Sequence, residues 1–306
     1  MKLIPVLLMI ASLTSWLPKA QAIEPSQGKM LARLEMLISS HSFLEANDLL
    51  DQLTAANPGD VDVRIVAAKL YREMGMLARS RVEYQQLAMA YPTRVEPLIA
   101  LSQMYLLYLD PRSALSNARK AVKLAPHNKD ARIALVSALV AGSYLKEADE
   151  QLSILTRANA GDAEVHYVAY KLMMERGQLE QARHELENAI RIDPGNGQWL
   201  LDLSELCKLQ HDYGEARACL ERAINSDPNS LDKIDKMAIL QEYCFHDYDE
   251  AKEQYKRILQ IDPDSVSAIA GLDRCKAKEN DIAAILKDQI RSGCAATWHW
   301  LWSAAH

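Results

Sequence analysis

Cys207 and His211 stand four residues apart. On an α-helix that spacing sets a thiol and an imidazole on one face, as two ligands of a zinc ion would stand. No third or fourth ligand follows at a matching interval, and the eight histidines are scattered along the chain. Carboxylate pairs such as Asp149-Glu150 recur, but on stretches that read as solvated helix faces. HExxH, CxxC and GxSxG are all absent, and Gly195-Asn196-Gly197 reads as a turn rather than a phosphate-cradling loop. The residue types that do chemistry are present without the spacing that chemistry needs. No catalytic residue, cofactor or metal site is expected, and the chain is read as a non-enzyme.

The spacing that does recur is structural. Pro58, Pro92, Pro126, Pro194 and Pro228 keep a 34-residue beat, with Ala160 on the one empty beat, and Pro263 follows after 35. With proline at position 32 of each unit, position 20 reads Ala46, Ser80, Ala114, Ala148, Ala182, Ala216 and, after the one-residue slip, Ala251. Position 24 reads Leu50, Tyr84, Ala118, Leu152, Leu186, Leu220 and Tyr255; position 27 reads Leu53, Leu87, Ala121, Leu155, Ala189, Ala223 and Ile258. A small residue, a knob four later and an apolar residue three beyond form one stripe on a helix face. Leu98, Leu101 and Tyr105, or Leu200, Leu203 and Cys207, supply the opposing stripe. A period of this length marks a helix–turn–helix array. Gly75 and Gly177 fall between the paired helices, where a left-handed cap favours glycine. "NPGD" (57–60), "APHN" (125–128), "DPGN" (193–196) and "DPNS" (227–230) end the second helices; in "ANAGD" (158–162), where proline is missing, Gly161 is expected to make the stop.

The segments "GQLEQARHELENAIRIDPGN" (177–196) and "HDYGEARACLERAINSDPNS" (211–230) closely resemble the second helix of the tetratricopeptide repeat family. The resemblance covers about residues 27–264. It implies an all-α, right-handed superhelical solenoid of about seven to eight repeats, placed near 27–60, 61–94, 95–128, 129–162, 163–196, 197–230 and 231–264, with a degenerate capping unit at 265–292. The chain departs from the family at position 4, where Arg64, Arg132 and His166 replace a large apolar residue. It departs again at position 8, where Leu34, Val136 and Tyr170 are bulky in place of glycine.

The resemblance also implies that first helices line a groove, with positions 2, 5, 9, 12 and 13 pointing into it. Carried over to this sequence, those positions include Ile65, Lys69 and Arg72 in the second repeat and Ile99, Gln103, Leu106 and Leu107 in the third. They include Ile133 and Val140 in the fourth, Tyr167 and Lys171 in the fifth, and Leu201, Glu205 and Lys208 in the sixth. An apolar strip flanked by lysine and arginine suits an amphipathic helix or an extended peptide. Burial of the same side chains under adjacent helices is the competing expectation. The Lys/Asn clamp with which some family members hold a C-terminal carboxylate is missing, since the position-5 and position-9 pairs are Ile65/Lys69, Ile99/Gln103 and Ile133/Ser137.

The first 22 residues read differently. Lys2 precedes a largely apolar stretch from Leu3 to Leu17, and Ala20-Gln21-Ala22 is a small-x-small cleavage site, so an exported, periplasmic protein starting at Ile23 is expected. The apolar stretch is shorter than the roughly 20 residues of a membrane span. The net charge of −6 becomes −8 without those residues. An acidic chain with no basic run is a poor ligand for nucleic acid. Cys207, Cys219, Cys244, Cys275 and Cys294 are odd in number, which leaves one unpaired within a chain in an oxidising compartment, and Cys207 is expected to be a small buried hydrophobe.

At the C-terminus, 293–306 crowds Trp298, Trp300 and Trp302 into five residues. Fold-back on the last repeat, contact with a membrane interface, contact with a partner, and continuation into a longer exported protein all accommodate it. Two functions follow from the whole. One is a non-catalytic scaffold holding a protein or peptide in a bacterial envelope or secretion system. The other is an accessory binding part of an enzyme or exopolysaccharide export complex.

Overall fold

The computed structural model describes residues 27–280, so the leader at 1–22, the tail at 293–306 and the end of the 265–292 segment lie outside the described residues. The chain divides into two compact units that meet at Pro126/His127. The first holds α1 (Gln27–Ser39), α2 (Phe43–Ala56), α3 (Val61–Glu73), α4 (Leu77–Ala90), α5 (Glu96–Leu107) and α6 (Pro111–Leu124). The second holds α7 (Lys129–Ala141), α8 (Leu145–Ala158), α9 (Ala163–Glu175), α10 (Leu179–Ile192), α11 (Gly197–Leu209), α12 (Tyr213–Ser226), α13 (Leu231–Leu240) and α14 (Tyr248–Ile261). Residues 266–280 are again helical, and no strand occurs among the described residues. Odd-numbered helices are the first helices of each pair and even-numbered ones the second.

Every residue at positions 20, 24 and 27 is buried, and all seven at position 20 are completely so. Ser80, the one hydroxyl among them, donates to the Ala68 carbonyl at 2.7 Å, which satisfies a group that burial would otherwise penalise. Position 8 is buried in all seven repeats too: Leu34 and Val136 are fully enclosed and Tyr170 nearly so. The helix pairs accept the bulk that replaces glycine there.

The departures at position 4 are compensated across each pair, always to a residue 19 later. Arg64 Nε donates to Glu83 at 2.6 Å, Arg132 Nη1 to Gln151 at 2.6 Å, and His166 Nδ1 lies 2.7 Å from Glu185. Where position 4 is Leu98 or Leu200, the facing residue is Asn117 or Cys219. A polar group is set at position 4 only where the residue 19 later can meet it.

The turn inside each pair is the same device repeated. His41, Gly75, Leu109, Ser143, Gly177, His211 and His246 all have positive φ. In six of the seven turns the following N–H closes onto the carbonyl five residues back, as Asp110 does to Tyr105 at 2.9 Å and Gln178 to Met173 at 3.0 Å, the Schellman arrangement. The seventh differs. Gln241–Phe245 is a π-helical turn, and Asp247 reaches six residues back to Gln241. This one extra residue inside α13's continuation is the slip from 34 to 35. Gly161, in contrast, does not adopt positive φ. The start of α9 is set instead by Asp162, which accepts from the Glu164 N–H at 3.0 Å, so the expectation of a glycine-driven stop is corrected.

Cys207, Cys219, Cys244 and Cys275 are free thiols, the first, second and last fully buried. Burial pushes Cys207 up to about 11 and Cys219 up to about 12. Neither is a reactive thiolate near neutrality.

Leu109 is held at φ 55° and is 88 % exposed, so its side chain gains little from packing while its backbone is strained. Leu109→Gly should raise the urea midpoint by the equivalent of about 0.5–1 kcal/mol, net of glycine's greater freedom when unfolded. Gly177→Ala should lower it by about 1 kcal/mol through φ alone, since nothing lies within 4 Å of the added methyl. Unfolding followed by circular dichroism measures both, and an unchanged midpoint for Leu109→Gly would show the turn to be unstrained.

Candidate functional site

What a neighbour-packed array offers a partner is whatever its packing leaves uncovered. In the first unit the uncovered part of the first helices runs along α3 and α5. Ile65 is half-buried against the cluster of Ala68, Tyr84, Leu87, Ala100, Leu101 and Met104, and Lys69 is half-buried one turn on. Arg72 Nη1 donates to Gln103 at 3.1 Å and Arg72 Nη2 pairs with Glu73 at 2.8 Å, which ties α3 to α5 through two residues expected at the groove. Ile99 and Leu106 are half-buried and Leu107 is 61 % exposed.

In the second unit Ile133 is half-buried, but Val140 and Leu201 are not surface residues. Val140 is 6 % exposed and Leu201 5 %. Leu201 lies in the core cluster that continues into α13 through Met237 and Leu240. For these two the competing expectation, burial under neighbouring helices, is what the structure shows.

The remaining residues of the second unit come together between α9 and α11. Tyr167 stacks on Trp199 with ring centroids 5.4 Å apart and on Tyr170 at 5.7 Å. Its hydroxyl donates to Asp202 Oδ2 at 2.7 Å, while Gln198 donates to Asp202 Oδ1 at 3.0 Å. Both carboxylate oxygens are therefore occupied. Lys171 sits with its ammonium 4.5 Å from the centre of the Tyr167 ring, a cation–π contact, and has no ion-pair partner among the described residues. Burial lowers its pKa, with the Asp202 charge opposing. Burial first, then the Asp202 charge and hydrogen bond, push the Tyr167 phenol up. Beyond lies a second cluster, in which Glu205 pairs with Lys208 at 2.7 Å and with Lys236 of α13 at 3.5 Å.

Trp199, Asp202 and Lys236 did not stand out in the sequence, because they occupy positions 3 and 6, outside the transferred groove set, and Tyr170 stood out only for its bulk at position 8. Tyr167 and Tyr170, three apart and so on one helix face, were the available signal. Cys207 and His211 form no site. Cys207 is enclosed in the core, whereas His211 is exposed in the left-handed turn with Nδ1 2.9 Å from the Tyr213 hydroxyl. Among the described residues no three His, Cys, Asp or Glu side chains converge as a metal site.

A lowered native pKa means that the surroundings of Lys171 favour its neutral form. Lys171→Met should leave the melting midpoint at pH 7 unchanged or higher, and should weaken any partner that meets this cation. Between the lowered native pKa and the ordinary value near 10.5, the unfolded chain binds the extra proton. Wild-type stability relative to Lys171→Met should therefore climb with pH through that window. A midpoint that falls in the variant at pH 7, or a difference flat with pH, would show that the charge is structurally required.

Residues 173–236 match the family model described as tetratricopeptide repeat. No curated protein matches the chain. Among solved structures, yeast Tom70 superposes with a TM-score of 0.61 at 14% identity, over 84% of this chain and 66% of that one. The Cut9 and Hcn1 hetero-tetramer of APC/C gives 0.60 at 13% identity over 80% of this chain. A tetratricopeptide repeat protein from Parabacteroides merdae gives 0.56 at 11%, over 82% of this chain and 98% of that one. The chain spans about half the length of the APC/C chain it matches and just under two thirds of Tom70. At these identities the likeness is one of fold, and it agrees with the repeat-by-repeat burial and turns described above. The described residues have the fold of a tetratricopeptide-repeat solenoid, and 173–236 match the model of that repeat.

Proposed function

We propose that this chain is an exported, non-catalytic scaffold that holds a protein or peptide partner on its first helices, in the assembly or operation of a bacterial envelope or secretion system. The observation that carries the binding part is Leu107, 61 % exposed at the end of α5 beside half-buried Leu106. These side chains are spared by the core, which uses Leu98, Leu101 and Met104 of the same helix. Unspent apolar surface next to Arg72 and Gln103 suits an amphipathic or extended segment. Export rests on Lys2, the apolar run from Leu3 to Leu17 and the Ala20-Gln21-Ala22 site.

Changing Leu106 and Leu107 together to Ser should reduce partner capture from envelope extract and leave the midpoint nearly unchanged. Leu101→Ser should lower stability by about 2–5 kcal/mol, because lost packing and a poorly solvated hydroxyl add where Leu101 is 3 % exposed. If the double change destabilises as much as Leu101→Ser, the pair belongs to the core and the reading fails.

Expression in a bacterial host should yield a periplasmic protein whose first residue is Ile23. Sequencing that recovers Met1 on membrane-bound material would replace the cleaved leader with an anchor.

A further inference from the structure

The second helices of the first unit carry a cavity that the binding reading above does not use. It has a volume of about 760 Å³ and opens between α4 and α6 over α5. Its floor is Leu98, Leu101 and Tyr105, and its walls are Met89, 75 % exposed, and Leu124, 44 % exposed. Lys120 and Lys123 also line it. The size falls within the roughly 300–1,000 Å³ of small-molecule pockets, and so does the pattern of apolar lining with a few polar groups.

The same place exists one repeat earlier, and the comparison shows why this one is roomy. There the lining includes Arg64 and Glu83, the ion pair lies across the lining, and the volume is about 420 Å³. The register is shifted by one repeat: Leu98 stands where Arg64 stands, and Asn117 where Glu83 stands. Asn117 turns back onto its own helix, donating to the Ser113 carbonyl at 2.8 Å. Replacing a long paired cation by leucine leaves apolar space where the second repeat has a guanidinium and its carboxylate.

The charge is as local as the cavity. In a chain with 41 acidic and 35 basic residues, α6 carries Arg112, Arg119, Lys120 and Lys123 and no acidic residue. Lys120 and Lys123 are exposed, one turn apart, and have no ion-pair partner among the described residues. In the second unit Lys129, Lys208, Lys236 and Lys252 are paired, whereas Lys146 and Lys171 are not, among the described residues. The apolar face of α6, with Ala114, Leu115, Ala118 and Ala121, is buried in the array. The helix therefore has no greasy side to lay on a bilayer, and an apolar chain can be covered only by entering the cavity.

We infer that this cavity binds a single-chain anionic amphiphile, with its hydrocarbon chain against Leu98, Leu101 and Tyr105 and its anionic head at Lys120 and Lys123. Lysine suits that head as a compact, mobile point charge. The chain supplies the hydrophobic contribution and the head supplies selection by sign.

Calorimetric titration of the purified full chain with dodecanoate below its micellar concentration tests this. One saturable site per chain is expected, with binding of dodecyltrimethylammonium at least tenfold weaker and acetate silent. Leu98→Arg combined with Asn117→Glu installs the pair of the preceding repeat and should abolish binding with the helical spectrum retained. Lys120→Gln with Lys123→Gln should weaken dodecanoate tenfold or more and leave the cationic detergent unaffected; this variant decides the matter if the filled one does not fold. No saturable site for dodecanoate, equal binding of both detergents, or full binding by the lysine variant would each overturn the inference. So would sedimentation with phosphatidylglycerol vesicles in the absence of dodecanoate binding, since that would make α6 a membrane-facing helix.

Discussion

Everything in both units hangs on the closeness with which two antiparallel helices approach at position 20. Ala46, Ser80, Ala114, Ala148, Ala182, Ala216 and Ala251 have no exposed surface at all. A methyl or hydroxymethyl group is what the gap admits; each added methylene would force strained rotamers or push the helices apart. With the backbones this near, positions 24 and 27 are driven into the facing helix, and their burial follows without exception. Each such side chain contributes of the order of 1.5–3 kcal/mol when it is large, and the small ones contribute by letting the large ones meet. No repeat closes this contact sheet-like along its length; it is closed pair by pair, which is why a 34-residue unit rather than the whole chain is what the sequence repeats.

That local closure explains how much of the architecture could be read from residues alone. Small, knob and apolar residues at fixed intervals name the helix faces, and the prolines name their ends. The slip to 35 was visible as a number, but its cause was not. A π turn at Gln241–Phe245 is a hydrogen-bond shift within a continuous helix, and no residue type signals it. The left-handed turns were legible only at Gly75 and Gly177. His41, Leu109, Ser143 and His211 adopt the same φ because the Schellman bond on one side and the helix contact on the other leave the chain no alternative, and His246 adopts it at the end of the π turn. Here tertiary closure overrides a local preference worth about 1–2 kcal/mol.

The candidate site was less legible, for a related reason. Transferring groove positions repeat by repeat treats every first helix as presenting the same face. Val140 and Leu201 break that rule by being buried, and for Leu201 the covering residues are large: its cluster includes Trp199 and, from the next pair, Met237 and Leu240. Tyr167 and Lys171 were expected only as groove positions of one repeat, yet their contacts depend on Asp202 and Trp199 from the following helix. Contacts between repeats are a property of two units at once, and the single-repeat pattern is blind to them.

The polar exceptions make the same point from the other side. Arg64, Arg132 and His166 look like errors against the family pattern until Glu83, Gln151 and Glu185 are seen 19 residues on. Two changes that are each unfavourable alone, a half-buried polar group at position 4 and a half-buried acceptor facing it, become acceptable together. Once such a pair exists it occupies volume, and its absence at Leu98 and Asn117 leaves that volume open. The contact at position 20 is untouched either way, since Ala114 remains fully enclosed. The array can therefore alter the space between its second helices, and its charge, without disturbing the approach of the backbones. Diversity among repeats of one chain collects where packing is compensated in pairs, and so does the room for a second ligand.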